Sequence, residues 1–412
     1  MKRLIGVSLA LTLGLMMMGT TPAHAATTWV VDDNDSMGAP GNCNAATPAF
    51  ATIQAGVNAA APGDTVQVCR GVYTENVTVN TANLNIIGAK TGVNGTRIVN
   101  LANESVVHAS DTSQPIFKLA ANGITLNGFL IEDNTNNSGI ETRPNFSGYR
   151  ILNNIVRQNV FGIYLNSSGD TTTLVRRNLL QGNNRVGAAN GNGIYSDQGA
   201  LGISIQANHF ENNRNVGILF ANAGTQQKSI IIQNNRSLND RTFVAFFNVQ
   251  NAQVLANQTN DTNDADDDGS TIFVGGDSDG ILIQRNVLRN PEFAGVAVRD
   301  TLQIFSGAAN VDILGNRISG AEGSGIDVSA DDFAAVSVRN NTVTNTGVGA
   351  FPPSDGILFD SVTHGNQIRG NTASGNVPND CEDNSVGSGT AGTANTWVNN
   401  NGVTDNPNGI CP

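Results

Sequence analysis

One short phrase, a glycine followed by an aliphatic residue, returns along this chain at similar intervals. It begins at Gly139, Gly162, Gly193, Gly217, Gly295, Gly325 and Gly356. A second repeat consists of asparagines flanked by apolar residues, at Asn154, Asn178, Asn208, Asn235, Asn257, Asn286, Asn316, Asn341 and Asn371. These asparagines are 22 to 30 residues apart. A period of this length with tolerated insertions predicts a solenoid of stacked supersecondary units.

Each repeat contains three short apolar segments that alternate with polar residues, as half-buried strands do. Connections such as NSSGDTTT and NAGTQQKS are predicted to be loops. Three strands per turn without intervening helices predict an all-β fold, a parallel β-helix of about eleven coils. The stacked asparagines are expected to hydrogen-bond to one another as a structural ladder. The glycine of the first phrase is expected to give a tight bend before the third strand.

The two ends of the chain differ from the repeat. Residues 1–25 have the pattern of a secretory signal peptide, with Lys2 and Arg3 before an apolar run and a cleavage site at Ala25. Residues 26–83 are predicted to form an N-terminal cap, in which the stretch AFATIQAGVNAAAPGD is an amphipathic helix over the first coil. The coils then occupy 84–376, and 377–412 is predicted to be a C-terminal cap tied by a disulfide.

Four cysteines occur in a chain predicted to leave the cytoplasm for an oxidising compartment. Four cysteines allow three connectivities. Because a solenoid holds its ends far apart, pairing between neighbours is favoured, Cys43 with Cys69 and Cys381 with Cys411. We therefore expect one disulfide at each end.

The charge of the chain excludes some partners. The formal net charge is −12, and loss of the signal peptide with its two cations takes it to −14. Nucleic acid is an unfavourable partner for such a chain, since that binding depends on Lys and Arg paired to phosphate. No later stretch approaches the ~20 apolar residues of a transmembrane helix. We expect a secreted or periplasmic protein, with a monomer favoured.

The opening segment TIQAGVNAAAPGDTVQVCRGVYTENVTV, followed by LNIIGA, resembles secreted proteins of the pectin lyase-like superfamily. The resemblance includes their carbohydrate-binding and sugar-hydrolysis repeat proteins, and it extends through the asparagine ladder over the mature chain. It implies a right-handed parallel β-helix. It does not by itself imply one activity, because this fold serves lyases, hydrolases, esterases, epimerases, adhesins and binding proteins.

Outward positions of the glycine-led strand form a ribbon along the predicted rod. Tyr164 and Tyr195 occupy it in successive coils, with Asn166 and Asp197 two residues further on and Arg143 one coil earlier. Tyrosine has an apolar ring and a polar tip, which suit the C–H face and hydroxyls of a sugar. These five residues are the predicted substrate-binding set. The alternative is a stabilising stack of outward aromatic rings between coils.

Two carboxylates on the same ribbon are the predicted catalytic pair. Asp327 and Asp360 are one coil apart and two residues out of step, which places them about 8 Å apart by strand geometry. Inverting glycosidases hold their general acid and base ~6.5–9.5 Å apart. The alternative is a pair of solvated surface carboxylates, which arises easily by chance on a rod of this length.

The stretch DTNDADDDGS resembles the start of a calcium-binding loop. Asp264, Asp266 and Asp268 have the alternating spacing that lets side-chain oxygens surround Ca²⁺. The bidentate glutamate of such loops is missing, because Gly275 occupies its position. The alternatives are a weak Ca²⁺ site and a solvated acidic loop, and no other cofactor is expected.

These observations predict a protein that interacts with an extracellular or cell-surface polysaccharide. A neutral glycan is favoured, since an acidic chain with few lysines would repel a polyuronate unless Ca²⁺ bridged the two. Polysaccharide hydrolysis, or less favourably lyase chemistry, is the second hypothesis. A structural or adhesive rod is the third.

Overall fold

The computed structural model describes residues 25–32, 49–221, 227–261, 269–299, 309–329, 335–349 and 354–412. Over these ranges the backbone winds into stacked coils, and each strand pairs in parallel with its equivalent in the next coil. Three sheets result, which we name A, B and C in the order in which a coil visits them. The predicted all-β, right-handed parallel β-helix is confirmed.

Sheet A holds the strand that precedes each ladder asparagine. In the described residues it has 15 strands. In chain order they are Thr28–Val31, Ala49–Phe50, Thr65–Val68, Asn85–Ile87, Thr125–Asn127, Arg150–Leu152, Ser167–Arg176, Ala200–Gln206, Gln227–Gln233, Val249–Leu255, Asp279–Gln284, Ala309–Leu314, Val336–Arg339, Gln367–Arg369 and Thr396–Val398.

Sheet B begins directly after the ladder asparagine, and over the described ranges it has 12 strands. They are Gly71–Thr74, Ser105–His108, Leu130–Glu132, Ile155–Arg157, Leu179–Gln181, His209–Glu211, Arg236–Leu238, Gln258–Asn260, Val287–Arg289, Arg317–Ser319, Thr342–Thr344 and Thr372–Ser374. One strand per coil agrees with the prediction of about eleven coils.

Sheet C holds the glycine-led strands and has 13 strands in the part of the chain that is described. They are Val77–Val79, Phe117–Leu119, Ile140–Thr142, Ile163–Tyr164, Asn192–Ser196, Val216–Ala221, Thr242–Phe247, Ile272–Gly275, Val296–Arg299, Ile326–Ser329, Ile357–Phe359, Cys381–Asp383 and Asp405–Asn406. This sheet carries the candidate functional residues.

The core is a set of aliphatic columns inside the coils. Alternate residues of each strand point inward, so equivalent positions of successive coils stack on one another. One column contains the aliphatic residue of the repeated phrase and has no exposed surface: Ile140, Ile163, Ile194, Ile218, Val244, Ile272, Val296, Ile326 and Ile357. Burial of these side chains at every coil explains why the sequence returns to the same apolar residue.

The glycine of the phrase has a second role besides the predicted bend. At Gly139, Gly162, Gly295, Gly325 and Gly356 the backbone bends directly before the strand, as predicted. None of the seven glycines has a positive φ, so the bend does not by itself require glycine. A Cβ at Gly162 would lie 2.4 Å from the carbonyl oxygen of Gly193, and one at Gly356 would lie 2.3 Å from that of Asp380. Glycine is required because the backbone of the next coil comes too close for any side chain.

The asparagine ladder lies between sheets A and B, and its members are buried. The backbone N–H and the side-chain amide of Asn178 both donate to Oδ1 of Asn208, at 2.9 and 3.0 Å. The same amide also donates to the carbonyl of Ile151 at 2.8 Å. The pattern continues from coil to coil and ends at Asn400, one coil beyond the last predicted member. Phe129 occupies the position before Asn154, as expected, and donates its N–H to Asn154.

A second polar row lies five residues after the first ladder, at the turn from sheet B to sheet C. Asn159 donates to Asn183, which donates to Asn213. Asn213 then donates its backbone N–H and its side-chain amide to Oδ1 of Asp240, at 2.8 and 2.9 Å. Asparagine is thus replaced by an acid at Asp240, which was not predicted from the sequence.

The first coil is covered by the helix Ile53–Ala59, whose residues Ile53 and Val57 are buried. The carboxylate of Glu75 accepts the N–H groups of Ile53 and Gln54 at 2.8 and 2.9 Å, and this satisfies two donors at the helix N-terminus. The helix is shorter than the predicted stretch. Phe50 belongs to a strand instead, where its ring contacts that of Trp29.

The C-terminal disulfide is the predicted one, between Cys381 and Cys411. Cys69 is also disulfide-bonded, and its predicted partner, Cys43, lies outside the described residues, as do residues 1–24 of the predicted signal peptide 1–25. No helix in the described ranges has the length and apolar character needed to cross a bilayer.

Candidate functional site

One outward column of sheet C runs the length of the rod. Its register gives Glu141, Tyr164, Tyr195, Leu219, Ala245, Phe273, Ala297, Asp327, Leu358 and Glu382, one residue per coil. The column is partly exposed from Tyr164 to Phe273, apart from Ala245, and is buried from Ala297 to Leu358. The accessible part spans four coil steps, about 19 Å. A ligand of the column would therefore lie on its middle coils.

Tyr164 and Tyr195 form the predicted pair and are stacked, with ring centroids 5.8 Å apart and planes 18° apart. Phe161 approaches both rings with its edge, at 5.8 and 6.0 Å. Each tyrosine therefore gives one ring face to its neighbour. This stack matches the structural alternative considered from the sequence, and it presents ring edges and hydroxyl groups outward.

Asp197 accepts hydrogen bonds from both tyrosine hydroxyls, to Oδ1 from Tyr164 and to Oδ2 from Tyr195, the latter at 3.0 Å. Partial burial raises the pKa of Tyr195 to about 12, and the carboxylate of Asp197 raises it further. The pKa of Tyr164 is raised for the same reasons. Both phenols are therefore neutral donors at physiological pH.

The two other predicted members of this set lie apart from the rings. Asn166 is fully buried, and its side-chain oxygen accepts from Ser196 and from the N–H of Gln198. It is therefore a structural residue of the turn, which corrects its place among ligand-contacting residues. Arg143 is partly exposed and forms an ion pair with Glu141 at 2.7 Å.

A cavity of about 410 Å³ lies directly beyond the tyrosines on the same face. Its apolar lining comes from Leu219, Ala245, Phe247, Phe273 and Phe293. The rings of Phe247 and Phe273 are 5.2 Å apart, on adjacent coils. This cavity was not predicted from the repeat, because its phenylalanines do not recur at one position. The signal available was an aromatic residue at each of two outward positions of sheet C, Phe273 in the column of the tyrosines and Phe247 two residues beyond that column.

Arg299 closes the far side of the cavity. Its guanidinium carbon lies 4.4 Å from the ring centroid of Phe293, in cation–π geometry. The same guanidinium donates to Oδ2 of Asp327, and the Ser329 hydroxyl donates to Oδ1. Both oxygens of Asp327 are thus occupied by protein donors.

The predicted catalytic pair differs in environment from the expectation. Asp327 has no exposed surface, so it is not the outward, solvated carboxylate that strand alternation predicted. Asp360 is partly exposed, and its Oδ1 accepts from the backbone and hydroxyl of Ser361. The physical reason for the difference is the ion pair with Arg299, which allows a carboxylate to be buried.

Metal binding was predicted at Asp264, Asp266 and Asp268, which lie outside the described residues. Within the described ranges, one group has suitable ligand atoms close together, namely His108, Glu132 and Asp133. Glu132 is already paired with Arg157 at 2.6 Å and Asp133 with Arg185 at 2.8 Å. Guanidinium partners on both carboxylates favour ion pairing over cation binding at this group.

Residues 192–373 match the family model described as a right handed beta helix region. No curated protein sequence matches the chain. Among solved structures, a mutant DFA-IIIase from Arthrobacter chlorophenolicus A6 in complex with DFA-III aligns with a TM-score of 0.50 at 13% identity, over 83% of this chain and 94% of that one. The GH136 lacto-N-biosidase from Eubacterium ramulus aligns at 0.49 and 13%, over 83% and 67%. The pectate lyase Pel9A aligns at 0.42 and 14%, over 80% and 82%.

Likeness at such low identity establishes the fold and not the activity. The parallel strand pairing, the ladder and the matched region agree with one another. The chain therefore folds as a right-handed parallel β-helix.

Proposed function

We propose that this protein binds a glycan on the middle coils of sheet C. The observation that carries the proposal is the cavity beside Phe247 and Phe273, which opens in line with the tyrosine pair. Small-molecule sites are typically concave and largely apolar, with a few polar groups that fix orientation. This face combines aromatic surface, two neutral phenols and a guanidinium over a length of several sugar residues.

A neutral glycan is the favoured ligand of this face. Two cations of this face are engaged, Arg299 by Asp327 and Arg143 by Glu141. The phenylalanine rings supply apolar surface for sugar C–H groups, while Asp197 and the tyrosine hydroxyls are placed for sugar hydroxyls. Electrostatic attraction contributes little in this arrangement.

Hydrolysis remains the second candidate function. The carboxyl pair Asp355 and Glu382, which is not the pair predicted from the sequence, favours it. Asp355 is buried, and burial together with the neighbouring Glu382 carboxylate raises the pKa of Asp355 above its ordinary value. Asn379 holds both groups, by its N–H to Asp355 and its side-chain amide to Glu382. A carboxyl group that keeps its proton near neutral pH has the property required of a general acid. Asp327 and Asp360 remain the pair predicted from the sequence.

The experiment is retention and turnover on a panel of neutral and acidic polysaccharides, with and without Ca²⁺. We expect a neutral glycan to retain the protein, and Phe273→Ala to weaken that binding about tenfold, the loss of one aromatic contact. Ile231→Ala, on the outward face of sheet A, is the matched control and should leave binding unchanged.

Reducing ends are followed in the same incubations. Release of reducing ends would make the protein a hydrolase. Its loss in Asp355→Asn would identify Asp355 as the acid, and its loss in Asp327→Asn and in Asp360→Asn would identify the pair predicted from the sequence. Equal retention of Phe273→Ala and the parent protein would remove the cavity from the binding site. Absence of retention on every glycan would leave a structural or adhesive rod.

A further inference from the structure

A second and larger cavity lies on another face, at the turn from sheet B to sheet C. It has a volume of about 740 Å³ and is lined almost entirely by polar residues. Arg157, Arg185, Arg214 and Arg241 contribute its cations. They are 28, 29 and 27 residues apart, close to the coil period, so successive coils each supply one guanidinium. We call this surface the arginine groove.

The charge of the groove is opposite to that of the protein. Its carboxylates come from Glu132, Asp133 and Glu292. Four guanidiniums therefore face three carboxylates, whereas the chain as a whole carries a formal net charge of −12. A positive groove on an acidic rod is a local arrangement that the average composition does not predict.

One of these guanidiniums, that of Arg185, is held in place with donors left over. Arg185 donates through Nη2 to Asp133 at 2.8 Å and through Nε to the carbonyl of Gln158 at 3.2 Å. These contacts leave its third nitrogen, and 44% of the side chain remains exposed. A guanidinium held on one edge presents the other edge as a preorganised pair of N–H donors.

Arg214 is the most available cation of the groove. It is exposed, and its guanidinium has no carboxylate within ion-pair distance in the described ranges. Its backbone N–H donates to Oδ1 of Asn184 at 2.8 Å, and the Asn184 amide in turn donates to the carbonyl of Asn212 at 2.7 Å. The turn that carries Arg214 is thus fixed to the preceding coil. Side-chain amides of Gln181 and Asn239 line the groove between the arginines.

We propose that the arginine groove binds an anionic glycan, whose acidic groups pair with Arg185 and Arg214. Coils repeat every ~4.8 Å, so a chain with an acidic group on each successive residue presents one such group to the guanidinium of each coil. Bidentate guanidinium pairing selects carboxylate or sulfate, and the amides receive the hydroxyls. The site is distinct from the sheet C face and does not depend on the function proposed there, although Arg241 lines both cavities.

Binding is measured by isothermal titration with galacturonate oligomers and with their methyl esters, which share a backbone and differ in charge. A sulfated glucan oligomer provides the second anionic arm. The test variant is Arg185→Gln combined with Arg214→Gln. Arg317→Gln is the matched control, because Arg317 is exposed on sheet B and lies outside the groove. Thermal unfolding establishes that each variant is folded.

We expect at least one anionic oligomer to bind more tightly than the methyl ester. Loss of both arginines should weaken this binding about a hundredfold, roughly tenfold for each charge-assisted pair. Arg317→Gln should stay within twofold of the parent protein. A preference for the sulfated oligomer over the uronate supports the same site and identifies sulfate as the anion.

Three results would overturn the proposal. They are equal affinity for acid and ester, unchanged affinity in the double arginine variant, and absence of binding to both anionic oligomers. The variant Phe273→Ala distinguishes binding in the arginine groove from binding in the cavity on sheet C. If it abolishes binding of the acid oligomer while the double arginine variant does not, the anionic chain lies in the aromatic cavity instead.

Discussion

The two polar rows that run along this rod are built alike and end differently. In the coil that contains Asn178 and Asn183, each side chain makes the same set of contacts with the coils before and after it. The amide of Asn178 donates at 2.8 and 3.0 Å, and that of Asn183 at 3.1 and 3.2 Å. The first row continues as asparagine to Asn400, whereas the second changes from Asn213 to Asp240.

The change in the second row occurs beside the two cavities. Arg214, Asn215, Arg241 and Thr242, which flank Asn213 and Asp240, line these cavities. The turn between sheets A and B is uniform, and its asparagines hydrogen-bond from coil to coil. The turn between sheets B and C varies in sequence and length. In this solenoid the less regular of two equivalent turns is therefore the one that lines the cavities.

The largest effect should come from breaking the uniform row in its middle. Asn178→Ala removes the acceptor of Asn154 and leaves the buried carbonyl of Ile151 without its donor. Buried groups left without partners lower stability by ~1–3 kcal/mol each, so we expect the free energy of unfolding to fall by about 4 kcal/mol. Urea denaturation measures this, with the exposed Asn58→Ala as control. A loss below 1 kcal/mol would show that the ladder is dispensable.

The acid in the second row should make stability depend on pH. Burial raises the pKa of Asp240 to about 7, with a smaller contribution from Asp261, while hydrogen bonds from Ser237 and Asn213 oppose the shift. Since the folded pKa exceeds the unfolded value, the folded form holds a proton that the unfolded form has lost between about pH 4 and pH 7. Stability should therefore decrease as pH rises through this window.

Asp240→Asn should remove that dependence. Because asparagine carries no charge and keeps an acceptor for Asn213, we expect the variant to be more stable than the parent at pH 8 by about 3 kcal/mol, and nearly equal at pH 4. Urea titrations at the two pH values provide the measurement. A parallel pH profile for the two proteins would locate the titrating group elsewhere.

The smallest effect should come from the second row where it still consists of asparagine. Asn183→Ala removes the same number of contacts as Asn178→Ala, but these contacts are longer and hence weaker. We expect a loss of about 2 kcal/mol, roughly half that of the first row. Equal losses of unfolding free energy in the two variants, under the same urea titration, would show that these differences in hydrogen-bond distance do not affect stability.

Much of the scaffold could be predicted because the interactions that stabilise it repeat in every coil. An inward aliphatic column, a stacked asparagine and a backbone contact that admits only glycine all repeat at the coil period. Even there, the close approach of the Gly193 carbonyl to Gly162 was not predicted, since a carbonyl of the next coil is invisible in a local pattern. The fold class and the C-terminal disulfide followed from the same periodicity.

The candidate site was predictable only where it shares that period. Tyr164 and Tyr195 are stacked in register, so their proximity could be seen in the sequence. The cavity beside Phe273 and the burial of Asp327 could not, because they depend on Arg299 and Phe293 reaching across from a neighbouring position. Alternation predicts which side of a sheet a residue occupies, and it does not predict what covers that side.

The disulfide at the C-terminal end has a mechanical consequence. Cys381 lies in a strand of sheet C, and Cys411 is covalently joined to it across 30 residues. A pulling force applied at Cys411 is transmitted through the sulfur atoms to Cys381, so the intervening loop carries no tension. Under this force the strand that contains Cys381 must separate from sheet C before the residues that follow it can extend. Reduction of the disulfide should therefore lengthen the first extension step seen in single-molecule stretching.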